Sequence, residues 1–165
     1  MEYQLEHQEI TTQKHPLRLK ILVVNLQSPA NYGMMIRMAE AMGVEEIIFF
    51  SDQFSELTSK MKRSSRAAEK NLKVRFVQDL ISEIEVLKKE DFEIIGLEYT
   101  SESKDITKLE FNQKAKALIC GNEAFGISLE FIKESDYCVH LPMYGKNTSM
   151  NVVMATSIAL WEMIH

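Results

Sequence analysis

One α/β domain on a largely parallel sheet is the fold class this sequence predicts. Three observations carry that expectation. The chain has 165 residues, enough for one sizeable core and too few for two. Six short apolar, β-rich runs recur along it. Stretches with helical periodicity separate several of them, and strand alternating with helix is the pattern of parallel sheets. At 45% hydrophobic and 26% charged residues the composition is that of a globular protein, so disorder is excluded.

Residues 1–17 are polar and read as an N-terminal extension, leaving 18–165 as the domain. The first strand is ILVVN (21–25). In MMIRMAEAMG, Met35, Met38, Ala39 and Met42 recur at helical spacing, and Gly43 offers a stop. Methionines so spaced are core filler. EIIFF (46–50) and VRFV (74–77) are the next strands. VQDLISEIEVLKKE (77–90) places Leu80, Ile84 and Leu87 on one helical face with charges opposite. EIIGL (93–97), ALIC (117–120) and CVHL (138–141) complete the strands, and an apolar helix follows the polar run NTSMN (147–151).

No apolar run approaches the ~18 residues of a membrane span, and the N-terminus lacks the basic start and apolar stretch of a signal peptide. Cys120 and Cys138 lie in apolar runs, where buried free thiols of a reducing compartment are found, so a cytoplasmic setting is expected. A net charge of −5 argues against indiscriminate coating of nucleic acid. From Lys60 to Arg75, however, seven cations face one carboxylate, Glu69. That stretch fits a focused polyanion site and, equally, a solvated helix face.

Ligands of open α/β sheets bind beyond the carboxyl ends of strands. The segments after three runs, LQSPANYG, GNEAFG and PMYGKNTSMN, hold four of the six glycines and two of the three prolines. Tight turns and close ligand approach are thereby gathered at one end of the sheet. No glycine-rich dinucleotide fingerprint follows the first strand, no P-loop or GxSxG occurs, and scattered histidines with two distant cysteines make no metal site. His140, inside an apolar run, reads as structural rather than as a base.

At these loops the sequence resembles the SpoU/TrmH branch of the SPOUT methyltransferases, which methylate the ribose 2′-hydroxyl of RNA with S-adenosylmethionine. Three motifs stand in the family's order over roughly residues 20–163: NLQSPANYGMMIRMAEAMGV, LICGNEAFGIS and LPMYGKNTSMNVVMATSIALWE. LEYTSESKDI resembles the stretch after the family's central strand. The resemblance implies a parallel sheet with a deep C-terminal trefoil knot, a homodimer and an RNA substrate, tRNA ahead of rRNA. S-adenosylmethionine would be the cofactor and S-adenosylhomocysteine its product.

Carried over by position, the resemblance assigns Gly121, Leu141 and Met150, with Met143 and Leu97 beside them, to cofactor contact. Without it, Leu141 and Met150 read as core. It assigns Arg37 and Asn31 to catalysis, where spacing alone reads a surface residue and a helix N-cap. Glu123, Ser149 and Asn151 match polar positions that orient loops and substrate, and Ser149 also suits the cap of the last helix. The implied in-line displacement needs neither metal nor covalent intermediate. A guanidinium stays protonated near neutrality, so Arg37 is read as stabilising alkoxide charge and anchoring phosphate while another group accepts the proton.

Lys60, Lys62, Arg63, Arg66 and Lys70 would then line the RNA path. The chain departs from the family there: SSRAAEK places Arg66 where many members have glycine. It also lacks the extra RNA-binding domain many relatives carry, which would leave recognition to the dimer. The competing expectations are an inactive RNA-binding or assembly protein on the same fold and a nucleotide-binding metabolic enzyme.

Overall fold

The computed structural model describes residues 4–6 and 9–165. The elements run β1 (Arg18–Val24), α1 (Pro29–Ala41), β2 (Glu46–Phe50), α2 (Ser59–Ser65), β3 (Lys73–Val77), α3 (Leu80–Lys89), β4 (Glu93–Leu97), β5 (Lys104–Asp105), β6 (Ala115–Cys120), α4 (Leu129–Glu134), β7 (Tyr137–His140) and α5 (Val152–Ile164). The strands form one sheet in the order β3-β2-β1-β6-β4-β7-β5, every neighbouring pair parallel. All six expected strands and the three expected helices are present.

Side-chain alternation divides the central strands between two cores. Leu19, Ile21 and Val23 of β1 face one side with Leu118 and Cys120 of β6; there they meet Tyr32, Met35 and Ile36 of α1 and Ala159, Leu160 and Met163 of α5. Leu22, Ala117 and Ile119 face the other, against Leu80, Ile84 and Leu87 of α3 and Phe131 of α4. Such double burial explains why these strands read as continuous apolar runs. Gly43 ends α1 at φ +69°, as its position suggested.

Two features stabilise the periphery. Glu46, almost fully buried on β2, pairs with Lys20, Lys73 and Arg75, and Arg75 also pairs with Glu83. Burial would raise the Glu46 carboxyl, but the Arg75, Lys73 and Lys20 contacts outweigh it and hold the group below its ordinary value. His15 bonds the Met42 carbonyl at 2.9 Å and accepts from Leu17 N, fastening the segment before β1 to the end of α1. Cys120 and Cys138 are buried free thiols. No described helix is long and apolar enough to cross a membrane.

Candidate functional site

The segments leaving β4, β6 and β7 converge at the carboxyl end of the sheet around a cavity of about 550 Å3. That is the size range of small-molecule sites. Leu97, Gly121, Leu141, Met143 and Met150, the five residues the motifs mark for cofactor contact, all line it. Glu123, Ser149 and Asn151 line it too.

Gly121 sets the cavity wall. A Cβ there would stand 2.2 Å from the Gly126 carbonyl carbon and 2.5 Å from the Ile127 nitrogen. Only glycine lets the two sides of the 121–126 loop close, and an Asn122–Gly126 bridge then pins them with backbone bonds of 3.0 and 2.9 Å. Glu98, at the end of β4, secures the same loop from outside: its carboxylate accepts from Ile127 N at 2.8 Å and from Tyr99 N at 2.9 Å.

Asn31 and Glu123 join two of the motif loops. Asn31 Nδ2 donates to Glu123 Oε1 at 2.8 Å, and the same carboxylate accepts from Gln27 N at 3.0 Å and Ser28 N at 3.5 Å. These amides lead into α1, whose cap residue Ser28 makes no side-chain bond of its own. Glu123 therefore supplies the anion that this helix N-terminus favours. Burial acts to raise its pKa; the bonds from Gln27, Asn31 and Ser28 together prevail and hold it below the ordinary value. Asn151 Nδ2 donates in turn to Asn31 Oδ1 at 3.4 Å, while Asn151 Oδ1 caps α5 by accepting from Val153 N and Met154 N.

Two cap readings are corrected. Asn31 is a buried residue of the first turn rather than the N-cap, because Pro29 starts the helix and Ser28 precedes it. Ser149 does not cap α5; Asn151, directly before its first residue, does. Ser149 instead stands exposed on the cavity lining. Arg37 does not line the cavity and is exposed on α1, whose Met35, Ile36 and Ala39 face the core.

His140, Tyr99 and Cys120 also line the cavity. The single Ser103 hydroxyl proton goes to the Thr100 carbonyl at 2.9 Å, and Thr100 N donates back at 3.0 Å. Ser103 Oγ also lies 2.9 Å from His140 Nδ1, so a hydrogen bond holds the ring. The ring stacks on Tyr99 with centroids 4.2 Å apart. His140 is thus a satisfied strand-end residue, as the apolar run suggested, that also presents an edge to the site. Burial pushes the Cys120 thiol up to about 12, so it is no nucleophile near neutrality. The signal that would have found Glu98, Tyr99 and His140 was their place at a strand's carboxyl end.

The basic stretch resolves into two populations. Lys73 and Arg75 are engaged with Glu46 and Glu83, which removes them from the expected polyanion surface. Lys60, Lys62, Arg63, Arg66 and Lys70 are exposed on α2 and the 3-10 turn behind it. Arg66 and the next residue, Ala67, hold left-handed backbone at φ 51° and φ 69°. The turn that a glycine would favour therefore survives without it, under local strain.

A model of the SpoU rRNA Methylase family matches residues 18–161. The chain belongs to this family. Among the SpoU relatives, an uncharacterized tRNA/rRNA methyltransferase of Borreliella burgdorferi is 31% identical over 144 residues, 86% of this chain and 61% of its own. The 23S rRNA (guanosine(2553)-2′-O)-methyltransferase RlmP of Bacillus subtilis is 28% identical over 87% of this chain and 57% of its own. The SpoU methyltransferase AviRb from Streptomyces viridochromogenes superposes with a TM-score of 0.81 at 25% identity, covering 92% of this chain and 60% of AviRb. Its complex with the cofactor AdoMet matches equally, at 0.81 and 24%, covering 96% of this chain and 63% of that one. The chain spans at most about three fifths of the length of the first curated relatives it matches.

Proposed function

We propose that this chain is an S-adenosylmethionine-dependent RNA 2′-O-ribose methyltransferase acting on tRNA or, second, rRNA. The observation that carries the reading is convergence. Two of the motifs line one cavity, and the first, up to 120 residues away in sequence, is tied to that lining by the Asn151–Asn31–Glu123 hydrogen bonds. Family membership, the RlmP activity and the AviRb complex support the same chemistry and cofactor.

The cavity fits the cofactor. An adenosyl group wants an apolar slot with close backbone, and the Gly121 wall with Leu97, Leu141 and Met150 offers one. When bound, S-adenosylmethionine supplies a sulfonium-activated methyl group that a ribose 2′-oxygen can take by in-line displacement. Glu123 is a positioning residue: ionised and bonded on both oxygens, it is a poor proton acceptor and a good clamp. Ser149 and Asn151 offer polar contacts to the ribose. The Arg37 guanidinium stabilises negative charge developing on the 2′-oxygen.

Arg37 does not line its own chain's cavity, so this reading includes a homodimer. Met154, Ile158 and Trp161 form an exposed apolar stripe on one face of α5, with Met34 exposed on the adjoining α1. A second copy covering it would let Arg37 act on the partner's cavity. The reading also includes the C-terminal trefoil knot that the resemblance implies. Lys60, Lys62, Arg63, Arg66 and Lys70 contribute salt-dependent phosphate contacts.

The test is transfer of a labelled methyl group from S-adenosylmethionine to total tRNA and to rRNA, followed by alkaline hydrolysis. Label retained in alkali-resistant dinucleotides supports ribose 2′-O-methylation, because the methyl blocks the hydroxyl that cleavage requires. Label released as mononucleotides puts the methyl on a base and contradicts it. RNA binding without transfer leaves an inactive RNA-binding scaffold as the better reading.

A further inference from the structure

A second cleft of about 320 Å3 lies across the 122–126 loop from the main cavity. Phe125 is common to both and is 85% exposed. The turn that carries it is held by construction. Asn122 Oδ1 accepts from Ala124 N at 2.7 Å and Phe125 N at 3.2 Å, the Asn122–Gly126 bridge closes the turn, and Glu98 secures the residue after it. These bonds fix the backbone of the turn from which the ring projects. An exposed ring on a rigid turn, in continuity with a reaction cavity, is a docking element.

The cleft behind it is apolar at its base and polar at its edge. Val24, Phe50 and Phe131 line it, with Phe50 and Phe131 edge to face at 5.6 Å. Ser128 makes no side-chain cap bond and stands exposed, as does Glu130. An aromatic and aliphatic floor with a hydroxyl and a carboxylate at its edge suits a heteroaromatic ring that carries hydrogen-bonding groups. The Glu130 charge disfavours a phosphate there, so the base and not the backbone belongs in the cleft. The loops after β4 and β7 repeat the device: Tyr99 and Tyr144 are both highly exposed.

We infer that Phe125 and this cleft hold an unpaired nucleobase of the RNA, next to the nucleotide whose ribose enters the main cavity. The inference rests on the methyltransferase reading for the identity of the polyanion and deepens it. The preferred substrate is RNA whose bases are splayed from their stack, a loop or bulge, since a paired base offers no free face.

The experiment places a reporter on the ring itself. Phe125→Trp in a Trp161→Phe background leaves one tryptophan. It is titrated with single-stranded 12-mers of adenylate, cytidylate and uridylate, and with a 12-base-pair RNA duplex. Saturable quenching by single strands, and at least ~tenfold weaker response to the duplex, is expected. A plug, Ser128→Phe, fills the cleft from a residue outside the main cavity and should weaken binding of a labelled single strand by ~tenfold. Calorimetry with S-adenosylhomocysteine runs on the same plugged protein and should show binding retained. No quenching by any RNA, equal quenching by duplex, or full affinity in the plugged variant overturns the inference. The two readings fail separately. Quenching without S-adenosylhomocysteine binding keeps the cleft and removes methyl transfer, whereas cofactor binding without quenching does the reverse.

Discussion

Asn31 donates its side-chain amide to Glu123 at 2.8 Å across 92 positions of sequence, and this bond fixes the entry of α1 against the 121–126 loop. Glu123→Ala leaves Gln27 N, Ser28 N and Asn31 without their acceptor. Hydrogen bonds to a partly exposed charged group are worth about 1–2 kcal/mol in sum here, so thermal unfolding should fall by several degrees. Glu123→Gln keeps the shape but turns one of the two accepting oxygens into a donor that faces Gln27 N or Asn31 Nδ2, so it should lower both stability and methyl transfer.

Gly121→Ala drives a methyl group into the Gly126 backbone, where a Cβ would stand only 2.2 Å from the carbonyl carbon. The loop must open, and overpacking of this kind costs about 1–3 kcal/mol. Cofactor affinity read by calorimetry should drop by tenfold or more, with circular dichroism showing the fold intact.

Glu46 makes stability depend on acid. Its folded-state pKa lies below the ordinary value of 4.5. The stabilisation is therefore present above that value and lost as pH falls through the folded-state pKa. Urea midpoints measured from pH 6 to pH 3 should decline more steeply in the native protein than in Glu46→Gln, which lacks the titrating group. Parallel slopes in the two proteins would contradict the assignment.

Arg66→Gly separates two roles of one residue. At φ 51° glycine relieves left-handed strain, so the melting temperature should rise slightly, within about 1 kcal/mol. If Arg66 contacts phosphate, the logarithmic salt dependence of RNA binding should lose about one unit of slope. A rise in stability with an unchanged slope would confine Arg66 to the turn.

Trp161, 55% exposed on the apolar stripe of α5, should be critical to self-association. Trp161→Glu is expected to yield a monomer by sedimentation, with methyl transfer lost because Arg37 no longer meets a partner cavity. Mixing Arg37→Ala with Asn151→Ala chains should then restore part of the activity through mixed dimers.

The strands were legible because burial on both faces writes continuous apolar runs: EIIFF and EIIGL coincide with β2 and β4. The short helices α2 and α4 were missed because six or seven residues carry too little periodicity, and the two-residue β5 carries none. Local spacing also misassigned the caps of α1 and α5. Whether Ser28 or Asn31 starts a helix, and whether Ser149 or Asn151 caps one, depends on Glu123 and on the turn itself, which lie outside any short window. The pairing of Lys73 and Arg75 with Glu46 was hidden for the same reason, since parallel strand register brings them together. The cavity was readable as a set of loops, and the rim aromatics were not, because an exposed ring looks like any other until its burial is known.

The central claim is that the cavity around Gly121 binds the cofactor of methyl transfer. Isothermal calorimetry of the purified protein with S-adenosylmethionine and then S-adenosylhomocysteine tests it most directly. The account predicts saturable binding of both at micromolar strength, one site per chain, weakened tenfold or more by Gly121→Ala. A folded protein that binds neither would contradict it, and the roles in methyl transfer given to Arg37, Asn31, Glu123, Ser149 and Asn151 would fall together.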